Sequence, residues 1–359
     1  MEQSSPQREV RQVDPAWSIS ELMARIAKAL VSDGPALSLS PISVASVSPR
    51  IALVVTTTGS SGVAKEVGLS ASALLASAKA SNSFIGAEFG STWSLLLPLN
   101  HIAGINVLIR SMESGTIPTN LIGYEGKFPK VDFTAIVPTQ LYRALNGDEN
   151  LLQHLQSAKA VLVGGAALTQ ELRVAAAAAS ITIVETYGST ETSGGCIYNG
   201  NPLEGVAVSL GESNQIIISG KTLAHSYLNS DISLLNTDGS YETSDYGHFD
   251  SDRLIVDGRL DDVVITGGEN VSLSNIERVI SQQFPHVQVT AFAVADQQWG
   301  QAIHCALIGA DPAIESEIQI ALSSEIGVAA KVKGFLYLEE FPLIGIGKVD
   351  RAELARRVQ

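Results

Sequence analysis

The sequence predicts an α/β protein, with a large layered α/β N-terminal domain that carries a β-rich subdomain and a small α+β C-terminal domain. Up to about residue 190, short strands that are apolar along their length alternate with helical stretches, which is typical of a sheet covered on both faces. Past residue 200 the pattern changes to alternating strands with Gly, Asn and Asp turns, as in QIIISGK. A second change near Arg259 predicts domains at 1–258 and 259–359.

The first domain begins with a predicted amphipathic helix, Ser18–Ala29. Ser18 and Glu21 form a capping-box pair at its start, and its apolar residues recur on one face. The predicted strands that follow are Ile51–Thr57, Trp93–Leu99, Phe133–Pro138, Ala160–Gly165 and Ile181–Tyr187. The predicted helices between them are Ile102–Met112, Thr139–Leu145 and Thr169–Ala179.

The last hundred residues contain elements of both kinds, as a separate α+β domain requires. The predicted strands are Val289–Ala295, Ile303–Ile308 and Phe335–Leu338. The predicted helices are Leu273–Gln283, which Ser272 or Ser274 would cap, and Glu315–Glu325.

Composition and charge exclude several classes of protein. Hydrophobic residues make up 45% of the chain and charged residues only 17%, which indicates a well-packed protein. A net charge of −14 argues against a general nucleic-acid binder, which needs a basic surface. Two cysteines are too few for a disulfide framework or a zinc site, so we expect a reduced cytoplasm. The start of the chain is polar, and no apolar run reaches the roughly 18 residues of a membrane span.

A run of small hydroxyl residues and glycines, TTTGSSGVAKEV at Thr56–Val67, follows the strand Ile51–Thr57. Such a loop lets amide and hydroxyl donors approach a polyphosphate, and Lys65 adds a point charge. It is not the Walker loop, because Ala64 and Glu66 flank the lysine where Gly and Ser or Thr would be needed. A plain solvent-facing turn is the alternative.

A second motif, VETYGSTET at Val184–Thr192, also lies at a strand end, where open α/β sheets bind ligands. The hydroxyl of Thr190 beside the carboxylate of Glu191 suits a phosphate oxygen and a Mg²⁺ ion. Tyr187 can stack on a base. The alternative for Glu191 is a solvated loop acid.

Three further motifs follow in the turn-rich and C-terminal regions. In TSDYGHFD, Asp245 can accept ribose hydroxyls or form an Asx turn. The segment Val256–Glu277 places Arg259 and an acidic pair at the predicted boundary. In FPLIGIGKVDRAEL, Lys348 follows a Gly-Ile-Gly approach to the last helix, where a surface lysine is the alternative reading.

In this order and with these spacings, the motifs resemble those of the adenylate-forming superfamily of acyl-CoA synthetases, luciferases and peptide-synthetase adenylation domains. The resemblance runs from about residue 51 to the C-terminus and is closest in GRLDDVVITGGENVS and YGSTET. Ala64 departs from the family, which commonly has proline there, and this changes loop stiffness more than chemistry.

The resemblance implies that ATP, Mg²⁺ and coenzyme A are used and that the C-terminal domain is mobile. It assigns the β- and γ-phosphates to Thr57, Thr58, Gly59, Ser60, Ser61, Gly62 and Lys65. It assigns Mg²⁺ to Glu191 and a phosphate contact to Thr190. It assigns the adenine plane to Gly164, Gly165 and Ala166, the base and α-phosphate to Glu185, Thr186 and Tyr187, and nucleotide binding to Gly188. It assigns the ribose to Asp245 and Arg259, the hinge to Asp261, and the pantetheine channel to Gly267, Gly268 and Glu269. Lys348 would bridge the substrate carboxylate and the α-phosphate.

Two stretches, PLNHIAGINVLIRS and GGCIYNGNPLEGVAV, resemble the short actinobacterial o-succinylbenzoate–CoA ligases of menaquinone synthesis. We expect this chain to share a second feature with them, a length that is short for the superfamily because much of the usual N-terminal region is lacking. Such a substrate is an aromatic dicarboxylic acid, and the carboxylate that does not react favours a cation in the pocket. Arg110 aligns with that basic position; an arginine that reaches solvent is the alternative.

His101 aligns with the family's position at the acyl pocket, where it would contact the substrate or gate thioester formation. A histidine that caps the following helix is the alternative. At the level of the whole chain, another acyl- or aryl-CoA ligase, an adenylation enzyme that loads a carrier protein and a catalytically inactive nucleotide-binding protein remain as alternatives, and association into a homodimer stays open.

Overall fold

The computed structural model describes residues 7–58, 64–344 and 348–358. Contacts divide the chain into two compact units. The first unit comprises Met1–Ser209, Ile217–Glu242 and Ser251–Leu254, and the second comprises Leu210–Ile216, Thr243–Asp250 and Ile255–Gln359. The predicted domain boundary, between residues 258 and 259, lies inside the last segment of the second unit. That residues 259–359 form the mobile domain stays a prediction.

A six-stranded mixed sheet carries the predicted phosphate loop in the first unit. Its strands, from one edge to the other, are Ser226–Tyr227, Ala64–Ser70, Ile51–Thr58, Ala36–Ser38, Arg8–Gln12 and Ser46–Val47. The two longest strands pair antiparallel, with Thr57 opposite Lys65. The arrangement places both ends of the loop side by side.

A seven-stranded sheet follows in the same unit. Its strands in spatial order are Asn201–Pro202, Gly194–Tyr198, Ile183–Ser189, Ala160–Gly164, Phe133–Ile136, Trp93–Leu95 and Thr119–Asn120. The last five pair parallel to one another, whereas Gly194–Tyr198 pairs antiparallel with both of its neighbours. Parallel strands bring their carboxyl ends to one edge, which is where the second motif lies.

Helices of the first unit begin where the sequence supplies a capping side chain. Ser18, Ser70, Asp148 and Thr169 each accept a hydrogen bond from a backbone N–H of the first turn. The helices are Ile19–Leu30, Ala71–Ile85, Ile102–Glu113, Pro138–Leu145, Glu149–Ser157 and Gln170–Ala178, with a 3₁₀ turn at Thr190–Thr192.

Alternate residues of the seven-stranded sheet pack into two different apolar clusters. Leu162 belongs to a cluster with Leu74, Ile105 and Leu108 of two helices. Its neighbours Val161 and Val163 belong to a cluster that contains residues of the helices Pro138–Leu145, Glu149–Ser157 and Gln170–Ala178. The sheet is therefore covered on both faces, as predicted.

Four further strands form the predicted β-rich region, in the spatial order Val206–Leu210, Gln215–Gly220, Tyr241–Asp250 and Arg253–Arg259. The chain passes from one unit to the other within these strands. A short 3₁₀ turn, Glu212–Asn214, joins the first two.

The second unit contains a five-stranded sheet with helices, the predicted α+β content. Its strands are Val263–Thr266, Glu269–Ser272, Gln288–Asp296, Gly300–Ile308 and Val332–Tyr337, beside a two-stranded ribbon of Leu343–Ile344 and Lys348–Val349. Its helices are Leu273–Gln283, Glu315–Glu325 and Arg351–Arg356, with 3₁₀ turns at Leu260–Asp262, Pro312–Ile314 and Val328–Ala330. Its core includes Ile276, Ile280, Ile303 and Leu322.

The predicted fold class is confirmed. The differences lie at strand ends and in two helices that were not predicted, Ala71–Ile85 and Glu149–Ser157. The predicted strand Trp93–Leu99 ends at Leu95, because Pro98 has no backbone N–H and the Leu96 carbonyl accepts from the Gln140 side chain at 3.0 Å. The predicted strand Ile181–Tyr187 runs instead from Ile183 to Ser189. Among the described residues, no helix has the length and apolar character needed to cross a membrane.

Candidate active site

Two neighbouring parallel strands bring the predicted adenine-binding residues together. Gly164 pairs with Thr186, and the Thr186 hydroxyl donates to the Val163 carbonyl at 3.3 Å. A Cβ atom on Gly164 would lie 2.2 Å from that hydroxyl, so only glycine fits there. The next two residues, Gly165 and Ala166, are exposed, and they leave backbone groups open at the sheet edge.

Glu185 is held by an arginine that the sequence reading did not consider. Arg173 donates to both carboxylate oxygens, with Nη2 at 2.7 Å from Oε2 and a closer contact from Nε. The hydrogen bond to Glu185 raises the pKa of Arg173. The carboxylate is therefore paired within the protein.

A cluster of three side chains joins the two predicted phosphate-binding motifs. The Tyr227 hydroxyl donates to Oε1 of Glu191 at 3.1 Å, and Lys65 Nζ lies 4.7 Å from the centroid of the tyrosine ring. Glu191 is only 9% exposed. The structure thus brings Lys65 and Glu191 to one place through Tyr227, which the sequence reading missed because its two-residue strand has no periodic pattern.

The phosphate loop itself is described only at its ends. Thr57 is half-buried opposite Lys65, and the backbone of Thr58 pairs with Ala64. The predicted phosphate ligands Gly59, Ser60, Ser61 and Gly62 lie outside the described residues.

His101 occupies the N-cap position of the helix Ile102–Glu113, but its side chain makes no capping hydrogen bond. The alternative of a capping histidine is therefore wrong. Burial lowers the pKa of His101, so the ring is neutral at pH 7. The helix start packs closely on the preceding chain, since a Cβ atom on Gly104 would lie 2.2 Å from the Pro98 carbonyl oxygen.

Arg110 is only 4% exposed, so the alternative of an arginine that reaches solvent is wrong. Its Nη2 donates to the Tyr198 hydroxyl at 3.0 Å, and its Cζ lies 5.7 Å from the ring centroid of Trp93. Two buried donors here, Arg110 Nε and Trp93 Nε1, have no partner in the described part of the chain. No described carboxylate pairs with Arg110 either, and a buried cation without an anion is costly unless a ligand supplies one.

Another two predicted nucleotide-binding residues lie together in the second unit. Arg259 Nη1 is 3.8 Å from Asp245 Oδ1. Asp245 is half-buried, and its backbone N–H donates to the Thr243 hydroxyl at 3.0 Å. The pair offers a carboxylate acceptor and a guanidinium donor side by side, the chemistry that ribose hydroxyls require.

Gly267 and Gly268 form the two-residue turn of the hairpin in which Thr266 pairs with Glu269. Their φ angles are +60° and +86°, a combination that glycine adopts without strain. The ring of Trp299 lies so close that a Cβ atom on Gly267 would be 2.8 Å from it. The turn is exposed, together with Glu269.

The backbone of Lys348 pairs with Ile344 in the two-stranded ribbon. Three residues later, Arg351 donates to Asp262 at 2.6 Å and to Glu277 at 2.8 Å. Asp262 ends the 3₁₀ turn that contains the predicted hinge residue Asp261. The segment that carries Lys348 and the segment next to the predicted hinge are therefore joined by one arginine, which the sequence reading passed over.

A magnesium ion needs several oxygen ligands. In the described ranges, no group of three or more His, Cys, Asp or Glu could hold a metal ion. A single buried carboxylate, Glu191, beside the hydroxyl of Thr190 fits an ion that arrives with nucleotide phosphates, which is how Mg²⁺ usually binds.

These features define a nucleotide-dependent enzyme that handles a small anionic molecule at the edge of a layered α/β sheet. The family model of AMP-binding enzymes matches residues 3–217. The chain belongs to this family, which confirms the superfamily resemblance.

Two acid–CoA ligases and a solved structure are similar to this chain. The chain is 36% identical over 330 residues to a probable 2-succinylbenzoate–CoA ligase of Mycobacterium tuberculosis, covering 86% of this chain and 84% of that protein. It is 32% identical over 263 residues to the 2-succinylbenzoate–CoA ligase of Escherichia coli, covering 70% of this chain and 57% of that protein. A solved structure of a variant of Escherichia coli MenE with bound OSB-AMS has a TM-score of 0.72 and 26% identity, covering 89% and 72% of the two chains.

Proposed function

We propose that this chain is an ATP-dependent acid–CoA ligase whose acid is 2-succinylbenzoate, and that the product is the 2-succinylbenzoyl-CoA thioester of menaquinone biosynthesis. The relatives' names support the proposal. The structural observation that carries it is Arg110, a buried guanidinium with an unpartnered Nε and no described carboxylate beside it.

A dicarboxylic acid fits this arrangement because it carries one carboxylate more than the reaction uses. The carboxylate that does not react pairs with Arg110 and supplies the missing negative charge. Arg110 and His101 lie on one helix, and the Asn106 amide between them donates to the Ser193 carbonyl at 2.8 Å, two residues after Glu191. The acid-binding helix and the Mg²⁺-binding turn therefore belong to one packed unit.

In the first half-reaction, a carboxylate oxygen of the acid attacks the α-phosphorus of ATP. The bond between the α-phosphorus and the oxygen that bridges the α- and β-phosphates breaks, and pyrophosphate leaves. Catalysis of such a transfer rests on positioning and on neutralising charge. Lys65 and the Thr57–Gly62 loop hold the β- and γ-phosphates, and Glu191 and Thr190 hold Mg²⁺ and phosphate. Lys348 stabilises the charge on the carboxylate and the α-phosphate.

The nucleoside is held by the residues already assigned from the family. Gly164, Gly165 and Ala166 line the adenine. Glu185, Thr186 and Tyr187 surround the base and α-phosphate, and Gly188 also binds the nucleotide. Asp245 and Arg259 take the ribose hydroxyls, a role to which their 3.8 Å pairing lends support.

In the second half-reaction, the thiol sulfur of coenzyme A attacks the acyl carbon of the adenylate, and AMP leaves with the anhydride oxygen. We propose that residues 259–359 move relative to 1–258 about Asp261 between the two steps, which withdraws Lys348 and brings Gly267, Gly268 and Glu269 to the pantetheine channel. We also propose that the protein is located in the cytoplasm and forms a homodimer, although neither half-reaction requires this.

The thioester product tests this function directly. Purified protein is incubated with ATP, Mg²⁺, coenzyme A and 2-succinylbenzoate, and the products are identified by mass spectrometry. We expect 2-succinylbenzoyl-CoA and AMP in equal amounts. Parallel incubations contain other acids in place of 2-succinylbenzoate. If thioesters formed only in these, the protein would be a different acyl- or aryl-CoA ligase. That second candidate is favoured by a 26% identity to the 4-chlorobenzoate–CoA ligase of Arthrobacter, over 84% of this chain and 65% of that protein.

A further inference from the structure

A chain of hydrogen bonds leads from the helix Ala71–Ile85 to the guanidinium of Arg110. Ser81 Oγ lies 2.8 Å from the Tyr198 hydroxyl, which in turn accepts from Arg110 Nη2 at 3.0 Å. Ser81 and Tyr198 are fully buried. Tyr198 is therefore the polar side chain that holds the guanidinium in place.

Tyr198 is uncharged, whereas two half-buried arginines elsewhere in the chain have charged partners. Arg173 is paired with Glu185, and Arg351 with Asp262 and Glu277. A phenol oxygen accepts a hydrogen bond from a guanidinium but brings no negative charge. Arg110 is thus oriented without being neutralised, and its charge stays available to a ligand.

The ring of Tyr198 is fixed on several sides. It meets Phe84 edge to face, with ring centroids 5.3 Å apart and an angle of 79° between the planes. A Cβ atom on Gly195 would lie 3.0 Å from the ring. Its backbone pairs with Thr186, at the strand end assigned to the nucleotide. Tyr198 thus connects the strand Ile183–Ser189, which is assigned to the nucleotide, with the guanidinium of Arg110, which is assigned to the acid.

We propose that Tyr198 is a positioning residue that fixes Arg110 for the second carboxylate of the acid and thereby sets the preference for dicarboxylic over monocarboxylic acids. The inference rests on the function proposed above and extends it to a residue outside the motifs. The hydroxyl of Tyr198 is the atom that matters, since it accepts the hydrogen bond from Arg110 Nη2.

Tyr198→Phe removes this hydroxyl and keeps the ring. The test compares 2-succinylbenzoate with two matched acids that each lack one carboxylate, 2-butanoylbenzoate and 4-oxo-4-phenylbutanoate. For 2-succinylbenzoate we expect kcat/KM to fall about tenfold, mainly through KM, because a charged donor loses one partner. For whichever monocarboxylic acid reacts, kcat/KM should change less than about twofold. Tyr337→Phe is the matched control, since it removes another tyrosine hydroxyl hydrogen bond, to Glu315.

The outcomes separate this inference from the proposed function. An equal loss for both kinds of acid in Tyr198→Phe would overturn the positioning role, as would no loss for either. If Arg110→Ala abolishes the preference and Tyr198→Phe leaves it unchanged, the inference fails while the proposed function stands. If the unaltered protein shows no preference for the dicarboxylic acid, the proposed function fails. Should Tyr198→Phe not fold, Ser81→Ala decides, with a smaller loss expected in the same direction.

Discussion

The Tyr227 hydroxyl donates to Oε1 of Glu191 at 3.1 Å, and in the described part of the chain Oε2 of this carboxylate has no hydrogen-bond partner. Burial raises the pKa of Tyr227, so the phenol keeps its proton at neutral pH. The tyrosine therefore orients Glu191 and leaves one oxygen open, which is what the proposed Mg²⁺ site requires.

Tyr227→Phe should raise the Mg²⁺ concentration needed for half-maximal ATP–pyrophosphate exchange roughly tenfold, because outer-shell hydrogen bonds orient metal ligands. The ring remains, so its contact with Lys65 is kept. A Mg²⁺ titration measures the effect, and binding of Mn²⁺ with ATP to the protein gives a readout independent of turnover. Tyr337→Phe serves as the control, and an unchanged Mg²⁺ requirement in Tyr227→Phe would remove Tyr227 from this role.

Lys348→Ala should lower adenylate formation by roughly 100-fold or more, since the lysine is assigned to the charge that develops in this step. Thioester formation from supplied acyl-adenylate should keep most of its rate. Separate assays of the two half-reactions measure this, with the exposed Lys331→Ala as control. Equal losses in both half-reactions would contradict the assignment.

Arg351→Met should destabilise the protein by about 3 kcal/mol, because it leaves the Glu277 carboxylate without its cation. Burial raises the pKa of Glu277, because it disfavours the charged carboxylate. Urea unfolding measures the change in free energy. Arg356→Met, on the same helix, removes an exposed pair with Glu353 and should cost about 0.5 kcal/mol. A similar cost for both variants would mean that the network contributes no more than a surface pair.

His154 makes stability depend on pH. Its Nδ1 donates to the Pro129 carbonyl at 2.7 Å, and Nε2 lies 2.8 Å from the Ser94 hydroxyl. Burial lowers the pKa of His154 below its ordinary value of 6.5. The unfolded chain therefore binds a proton first as the pH falls, so the contribution is complete above pH 6.5 and is lost below it.

Unfolding free energies at pH 7 and pH 5 measure this effect. His154→Gln should be less stable at pH 7 and lose less stability on acidification than the unaltered protein. A His154→Gln protein with the full pH dependence would show that other groups cause it.

Several helices could be predicted closely from the sequence because local signals define them, although Ala71–Ile85 and Glu149–Ser157 were not predicted. Leu273–Gln283 and Glu315–Glu325 are found with the predicted bounds, and Ser272 provides the cap of the first. Strand ends were harder to predict, since an apolar run such as Trp93–Leu99 continues as buried chain after its sheet pairing ends.

Residues in motifs could be assigned to a site from the sequence, whereas their supporting partners could not. Tyr227, Tyr198 and Arg173 lie 36, 88 and 12 positions from the residues they contact. No spacing rule links such pairs, because the sheet topology alone brings them together. Arg351 lay within a recognised motif, but its carboxylate partners are set by packing in the second unit.

We propose that the protein adenylates a dicarboxylic aromatic acid held by Arg110. This proposal can be tested by ATP–pyrophosphate exchange across 2-succinylbenzoate and its two matched monocarboxylic acids, with the unaltered protein and Arg110→Ala. We predict exchange that strongly favours 2-succinylbenzoate, and in Arg110→Ala a KM for this acid raised roughly 10- to 100-fold with little change for the monocarboxylic acids. Exchange without preference for 2-succinylbenzoate, or an equal loss for all acids in Arg110→Ala, would contradict the claim.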